Sequence, residues 1–364
     1  MFQTLKDEAF LVAALVMAVL AYVFEGYLIH GGRLTAMVPT AVLVLTIVLA
    51  SVRVAHHAEI LAEKVGDPYG TMILTLSAVL VEVVILGIMM SHEPSPTLVR
   101  DTIYAAVMLD LNGILGLAAL LGGLRHGEQP YNDDSARTYS VMILTAMGVS
   151  MVVPEFIPRD DWRLYSAFTI GAMLLLYGVF LRMQVGAHSY FFSYSYPEKK
   201  RRRKVQPDVD QPPTSRSRSI ILLCAGVVLI GALAEVMSQS LSVSLKGSGA
   251  PPMLAALVVA AISASPEILT ALRAALANRM QSVVNIALGA SLSTVILTVP
   301  VMEALALYSG QPFQMAMTPV QTVMVIITLI VAAINLNDGE TNAIEGMTHF
   351  VLFATFIMLS LIGL

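Results

Sequence analysis

GDPYGTMILTLSAVLVEVVIL, residues 66–86, can be laid on PPMLAALVVAAISASPEILTA, residues 251–271, so that Glu82 falls on Glu267. Each stretch is apolar enough to cross a bilayer, whose hydrocarbon is about 30 Å thick and takes about 20 apolar residues in helical form. Near the middle of each stands a single carboxylate. An ionised carboxylate costs several kcal/mol in hydrocarbon, so it faces a cavity, a partner charge or a protonation equilibrium. Thr71, Thr75, Ala78 and Glu82 share one helical face, as do Ala256, Ala260, Ser263 and Glu267. Two carboxylates at matching places, each on a stripe of small or hydroxyl-bearing residues, point to one intramembrane ion site built from two repeats.

Outward from these stretches the chain remains apolar. Of its 364 residues 57% are hydrophobic and 13% charged, against about 25% charged in a soluble domain. Hydropathy gives about eleven spans, at roughly 9–29, 36–56, 69–91, 98–122, 138–157, 163–184, 219–241, 252–276, 282–307, 318–335 and 345–363. The expected fold class is therefore an all-α polytopic membrane protein, with the lipid bilayer as its solvent. No small-residue cleavage site follows the first span, which reads as a retained helix. Residues 187–218 form a hydrophilic linker containing PEKKRRRK and QPDVDQPPTSRSRS. Its prolines and charges cannot build a packed core.

The linker divides the chain into a leading helix (1–34), a first group of five helices (35–186) and a second group (219–364). Five is odd, so the groups insert with opposite orientation, the inverted-repeat plan of many secondary transporters. Lys199, Lys200, Arg201, Arg202, Arg203 and Lys204 follow the sixth span, and basic residues beside span ends remain on the cytoplasmic side. The linker and N-terminus should then be cytoplasmic and the C-terminus outside, in a bacterial-type inner membrane.

Pro266 precedes Glu267, and a proline within a helix removes the hydrogen bond to the carbonyl four residues back, here Ile262. A freed carbonyl beside a carboxylate is a cation ligand, and hard cations such as Ca²⁺ take six to eight oxygens. Buried without a cation, the same carboxylates take up protons instead. Proton and cation competing for Glu82 and Glu267 is the minimal mechanism of an antiporter, with inorganic cations and protons as its partners. Asp110, with Asn112 nearby, is a candidate third carboxylate. Glu235, deep in the seventh span, and His57 are candidates for a proton path, although His56 and His57 at a span end also suit a plain surface role. Glu25 and Glu303 lie near span ends, where snorkelling to the interface is the expectation. Cys224 is the sole cysteine, so disulfide frameworks and thiolate clusters are excluded. Basic residues are too localised for a nucleic-acid face. No HExxH, phosphate-binding glycine loop or nucleophile elbow is present, and no cofactor is called for. A passive cation channel and an intramembrane enzyme are the alternatives.

Three further stretches carry a resemblance: HAEILAEKVGDPYGTMILTLSAVLVE, VRDTIYAAVMLDLNGILGLAALLGGLRHGEQPYN, and SASPEILTALRAALANRMQSVVNIALGASLSTVILTVPVM. Gly122, Gly123, Gln129 and Asn132, and the run from Gly289 to Pro300, are its most distinctive parts. The chain resembles the calcium/cation antiporter superfamily, on its cation/proton exchanger branch. The resemblance implies a leading helix plus two inverted five-helix repeats, with Glu82 and Glu267 as the paired site glutamates. It also implies departures. The Gly-Asn pair usual before each glutamate is replaced by Ala78 and Val79, then by Ser263 and Ala264. Asp110 stands for an asparagine and Ser293 for a glutamine. The ligand set implied by the resemblance, Glu82, Glu267, Asp110, Ser263 and Ser293, thus shifts from amide toward carboxylate and hydroxyl; Thr75, on the helical face of Glu82, completes the expected cation site, with Ca²⁺ first and Na⁺ or K⁺ as alternatives.

Overall fold

The computed structural model describes residues 8–30, 32–65, 69–92, 95–185, 216–245, 249–311 and 313–364. Most of the linker expected at 187–218 lies outside the described residues. What is described is helical: α1 (Ala9–Val23), α2 (Arg33–Val65), α3 (Tyr69–His92), α4 (Leu98–His126), α5 (Asp133–Phe156), α6 (Trp162–Val185), α7 (Arg216–Leu245), α8 (Met253–Ser263), α9 (Ser265–Leu276), α10 (Met280–Ser309), α11 (Pro319–Asn335) and α12 (Ala343–Ile362). Among the described residues eight helices are long and apolar enough to span, and α8 with α9 forms one further pair bent by 58°. The remaining two expected spans coincide with α1 and α11, shorter apolar helices of 15 and 17 residues.

One antiparallel ribbon sets the parity of these crossings. β1 (Gln129–Pro130) pairs with β2 (Glu340–Thr341), Gln129 opposite Thr341, and Tyr131 N donates to Gly339 O over 2.8 Å. Paired strands lie on one side of the membrane, so the intervening chain crosses an even number of times. α5, α6, α7 and α10 lie between the two strands as helices long enough to span, so the bent pair α8/α9 and the shorter α11 either both cross or both turn back.

α4 and α10 are the most buried of the spanning helices, and each carries a π-helical segment, Leu109–Ile114 and Thr294–Thr298. Such widened turns rotate the side chains that follow and recur at functional sites. Close approach fixes α4 against α12: a Cβ at Gly346 would overlap the backbone of Leu120, and one at Gly116 would stand 2.8 Å from Phe350 N. Small residues are how helices without a hydrophobic drive between them reach van der Waals contact.

The two ends of the bundle are tied differently. At the end where α2 finishes, Glu8 accepts from Arg53 Nε (2.7 Å) and Nη2 (2.9 Å), lies 3.1 Å from His57 Nε2, and has Arg218 at 3.6 Å. Burial works against the Glu8 charge, but the hydrogen bonds from Arg53 and His57 outweigh it and bring this carboxyl down to about 2. His57 is therefore a buried partner of the N-terminal segment at 1% exposure, not a surface residue, while His56 beside it is exposed. At the other end, Arg100 pairs with Asp101 (2.8 Å) and donates to Ala316 O (2.9 Å), and Gln321 donates to Asp101 (3.0 Å). Met317 N donates to Met151 O over 3.1 Å, and Met315 and Met317 are buried. The loop before α11 thereby plugs that end.

Candidate functional site

The local sequence explains how the two glutamates come to line one cavity. α3 has no internal proline or break, and it delivers Glu82 from the middle of an uninterrupted helix. The second stretch cannot do this, because Pro266 lacks the amide hydrogen that would continue α8. The chain ends α8 at Ser263, turns at Ala264 and restarts at Ser265, placing Glu267 in the first turn of α9. Helix starts favour negative charge. The Ile262 carbonyl, expected to be freed for a cation, accepts instead from Ser265 Oγ at 2.8 Å. The serine that opens α9 takes up the acceptor that the proline releases.

Glu82 is 3% exposed and its Oε2 accepts from Thr298 Oγ1 (2.7 Å) and Thr294 Oγ1 (3.1 Å), both in the π-helical segment of α10. Asp110, 2% exposed in the matching segment of α4, accepts from Ser291 Oγ at 3.1 Å. Glu82 Oε1 and Glu267 Oε2 are buried without a hydrogen-bond partner. A buried carboxylate oxygen left unpaired carries a desolvation cost that a proton or cation removes. The three carboxylates lie within electrostatic reach of one another.

They share a cavity of about 750 Å³, which Thr75, Ser263 and Ser293 also line. All six residues expected as ligands from the sequence are therefore brought together on its wall. Ser263 Oγ donates to Ala260 O (3.1 Å) and Ser293 Oγ to Ala290 O (2.9 Å), so each hydroxyl spends its proton on its own helix. Their oxygens remain available as ligands. The cavity runs from exposed Glu59 and Thr270 down to buried Glu82 and Asp110, so it opens toward the end of α2 and the start of α3. A smaller chamber of about 440 Å³, with Arg53, His56 and Arg273 on its wall, shares Glu59, Ala55, Pro266 and Thr270 with it.

Neither expected proton-path residue lines the cavity. His57 is held by Glu8. Glu235 accepts from Tyr22 OH at 2.6 Å, lies 3.5 Å from His92 Nε2 and keeps its side chain 39% exposed. Sequence reasoning missed Ser291, Thr294 and Thr298, although their offsets of three and four residues were visible as a hydroxyl stripe. It also misplaced Glu303, which does not snorkel: it is 2% exposed, accepts from Ser166 Oγ at 3.2 Å, and has a buried Oε2 without a partner.

Behind the site, Asn112 donates to Thr328 Oγ1 (2.8 Å) and its Oδ1 lies 3.0 Å from His349 Nδ1, tying the Asp110 segment to α11 and α12. The glycine pair before β1 has a parallel task. Gly122 leaves room for the Gln129 side chain, whose Nε2 donates to Ala275 O (3.0 Å) and Asn278 Oδ1 (2.9 Å) at the end of α9. Asn132 caps α5, accepting from Asp134 N (3.0 Å) and Ser135 N (3.4 Å), while its own amide donates to Gln281 Oε1 at 2.7 Å.

Comparison with known proteins adds an independent line. The family described as sodium/calcium exchanger protein matches residues 35–186 and 218–362. The sodium-potassium/proton antiporter ChaA of Escherichia coli is 31% identical over 313 residues, covering 84% of each chain. A Ca²⁺/H⁺ antiporter of Synechocystis is 24% identical over 72% of this chain and 74% of its own. Among solved structures, native YfkE superposes with a TM-score of 0.72 at 18% identity, covering 93% of this chain and 99% of YfkE, and shares its fold.

Proposed function

The chain belongs to the sodium/calcium exchanger family, and we propose that it holds its cation between Glu82, Glu267 and Asp110 and exchanges it there for protons. It is a multi-pass membrane protein and a cation/proton antiporter, a secondary transporter and not an enzyme. The observation that carries the site assignment is the pair of buried, unpartnered oxygens, Glu82 Oε1 and Glu267 Oε2, on one cavity with Asp110.

The chemistry follows from that geometry. A cation enters past Glu59 and Thr270 and meets three carboxylates together with the oxygens of Thr75, Ser263 and Ser293. Its charge and its ligand demand displace the protons that neutralise the carboxylates when no cation is bound. A divalent ion gains most from three negative groups, so Ca²⁺ is the first candidate, with water completing its six to eight oxygens. The name of the Escherichia coli relative favours a second reading, Na⁺ or K⁺ against H⁺. Release to the far side requires the cavity to close at Glu59 and Thr270 and the plugged end to open, with the bend at Ala264 the natural place for the backbone to flex.

The two stretches matched by the family support a leading helix (1–34) and two five-helix repeats (35–186 and 219–364) of opposite orientation around the 187–218 linker. Basic residues put that linker and the N-terminus in the cytoplasm and the C-terminus outside, in a bacterial inner membrane. The β1–β2 ribbon then also lies on the cytoplasmic side. The deciding experiment is an ion screen in proteoliposomes under an imposed pH gradient, adding Ca²⁺, Na⁺, K⁺ and Mg²⁺ in turn. Proton movement is expected on addition of Ca²⁺, Na⁺ or K⁺. A silent response to every ion sinks the proposal, and conductance without proton movement turns it into a channel.

A further inference from the structure

Of the buried carboxylates outside the cavity, Glu8 and Asp101 are paired with arginines, and Glu303 is left without a basic partner among the described residues. Thr298 donates to Glu82, and a Cβ at Gly87 on α3 would lie 4.0 Å from Leu305 Cδ1 on α10, so these two helices run side by side in the same direction. Glu303 stands five residues past Thr298, about 7.5 Å farther along the axis at 1.5 Å per residue. That displacement is away from the cavity mouth, toward the end plugged by the loop before α11. Five residues also carry the side chain about 140° around the helix. Glu303 consequently faces α6, where Ser166 Oγ donates to Oε1 over 3.2 Å, instead of α3.

Its surroundings supply no counter-charge. From α6 the neighbouring groups are Ser166 and Tyr165, and the Tyr165 hydroxyl is already spent on Val149 O at 2.7 Å. From α3 the titratable groups toward this end are Glu82 and His92, and His92 lies 3.5 Å from Glu235. Among the described residues no Lys, Arg or His pairs with Glu303. Oε2 is buried without a partner, in a residue only 2% exposed. An intramembrane carboxyl in this position is expensive for packing alone.

We infer that Glu303 is a proton-holding residue on the sealed side of the site, handing protons between the outer end of the bundle and Glu82; this rests on the exchange reading above. In the transfer the O–H bond of the Glu303 carboxyl breaks and one forms on Glu82, so a carboxylate on one residue is replaced by a carboxylate on the other and nothing is oxidised or reduced. The orientation toward α6 has a purpose in the present conformation. With the cavity open at Glu59 and Thr270, a connected Glu303 would let protons run through without a cation, and its turn away from α3 keeps the two sides apart. Rotation of the second half of α10 on closure of the cavity brings the residue into line with Thr298 and Glu82.

The test compares two fluxes in the reconstituted full-length protein. One is proton movement driven by whichever of Ca²⁺, Na⁺ or K⁺ the wild type exchanges. The other is exchange of the radiolabelled cation for the same unlabelled cation, which needs no proton. Glu303→Gln should lower the first about tenfold or more and leave the second within about twofold, the range expected when one proton-transfer group is lost. Glu303→Asp, which keeps a carboxyl, should recover most of the loss. Both fluxes unchanged, both reduced together, or no recovery with aspartate would each overturn the assignment. A wild type without cation-driven proton movement would overturn the exchange reading itself, a result that no Glu303 variant can produce.

Discussion

The two site glutamates reach the same cavity from helices of opposite character. Glu82 sits in an unbroken α3 and is gripped through Oε2 by two threonines of α10. Glu267 starts a half-helix after a 58° bend and has no side-chain donor among the described residues beyond the polarity of its own helix start. One carboxylate is anchored and the other is mounted on the element that can flex. A site that must both recognise an ion and change access benefits from that division, because a single pre-set ligand defines the position while its partner follows the backbone.

The contrast can be broken first at the carboxylates themselves. Glu82→Gln and Glu267→Gln should each lower cation-driven proton movement at least about a hundredfold, since an amide preserves size but neither carries charge nor takes up the exchanged proton. Substantial residual exchange in either variant would remove it from the pair. Next in size, Thr298→Val strips the 2.7 Å donor from Glu82 and should raise the half-saturating cation concentration about tenfold, a change of about 1.4 kcal/mol for one hydrogen bond to a charged group. An unchanged affinity would mean that the anchoring is incidental. Pro266→Ala tests the flexible half: it restores an amide hydrogen to α9 and should slow turnover several-fold while altering cation affinity less, measured as separate maximal rate and half-saturation. If affinity moves and rate does not, the bend positions a ligand and is no hinge.

Two smaller effects sharpen the picture. Asp110→Asn should weaken Ca²⁺ more than Na⁺, because the third negative charge favours the divalent ion most; an unchanged ratio would leave two carboxylates as the whole charged site. Glu8→Gln should cost about 2–4 °C in thermal midpoint at neutral pH and leave ion selectivity alone. The sign follows from the pairing. The Glu8 carboxyl is held down to about 2 against an ordinary 4.5, so its contribution is complete above about pH 5 and fades as pH falls toward 2. The difference between variant and wild type should shrink over that interval in melting curves of the detergent-solubilised protein.

The sequence made Glu82, Glu267 and the break at Pro266 legible because each depends on local rules: apolar length, helical spacing and the missing proline amide. Asp110 could be suspected for the same reason. Glu303 was misread because snorkelling was judged from distance to a span end, whereas α6 covers it in the folded bundle. His57 hid in a similar way, its partner Glu8 lying 49 residues earlier in the chain. Thr294 and Thr298 left a visible stripe, but the carboxylate they serve, Glu82, lies 212 and 216 residues earlier in the chain. Contacts made across the fold leave only weak marks on spacing along it.

The two-residue ribbon has a consequence for how the molecule is made. Gln129 leaves the ribosome with its strand partner still unwritten, and Thr341 follows roughly 210 residues later. At about 5–20 residues per second that is roughly 10–40 s of synthesis, during which most of the helices are already in the membrane. Gln129 also grips the end of α9, so the half-helix bearing Glu267 gains a complete clasp only after Glu340 and Thr341 have been made. A nascent chain therefore owns every carboxylate of the site well before it owns a closed one, and a ribosome stalled just short of residue 340 would leave an assembled but unbuttoned transporter for the quality-control machinery to find.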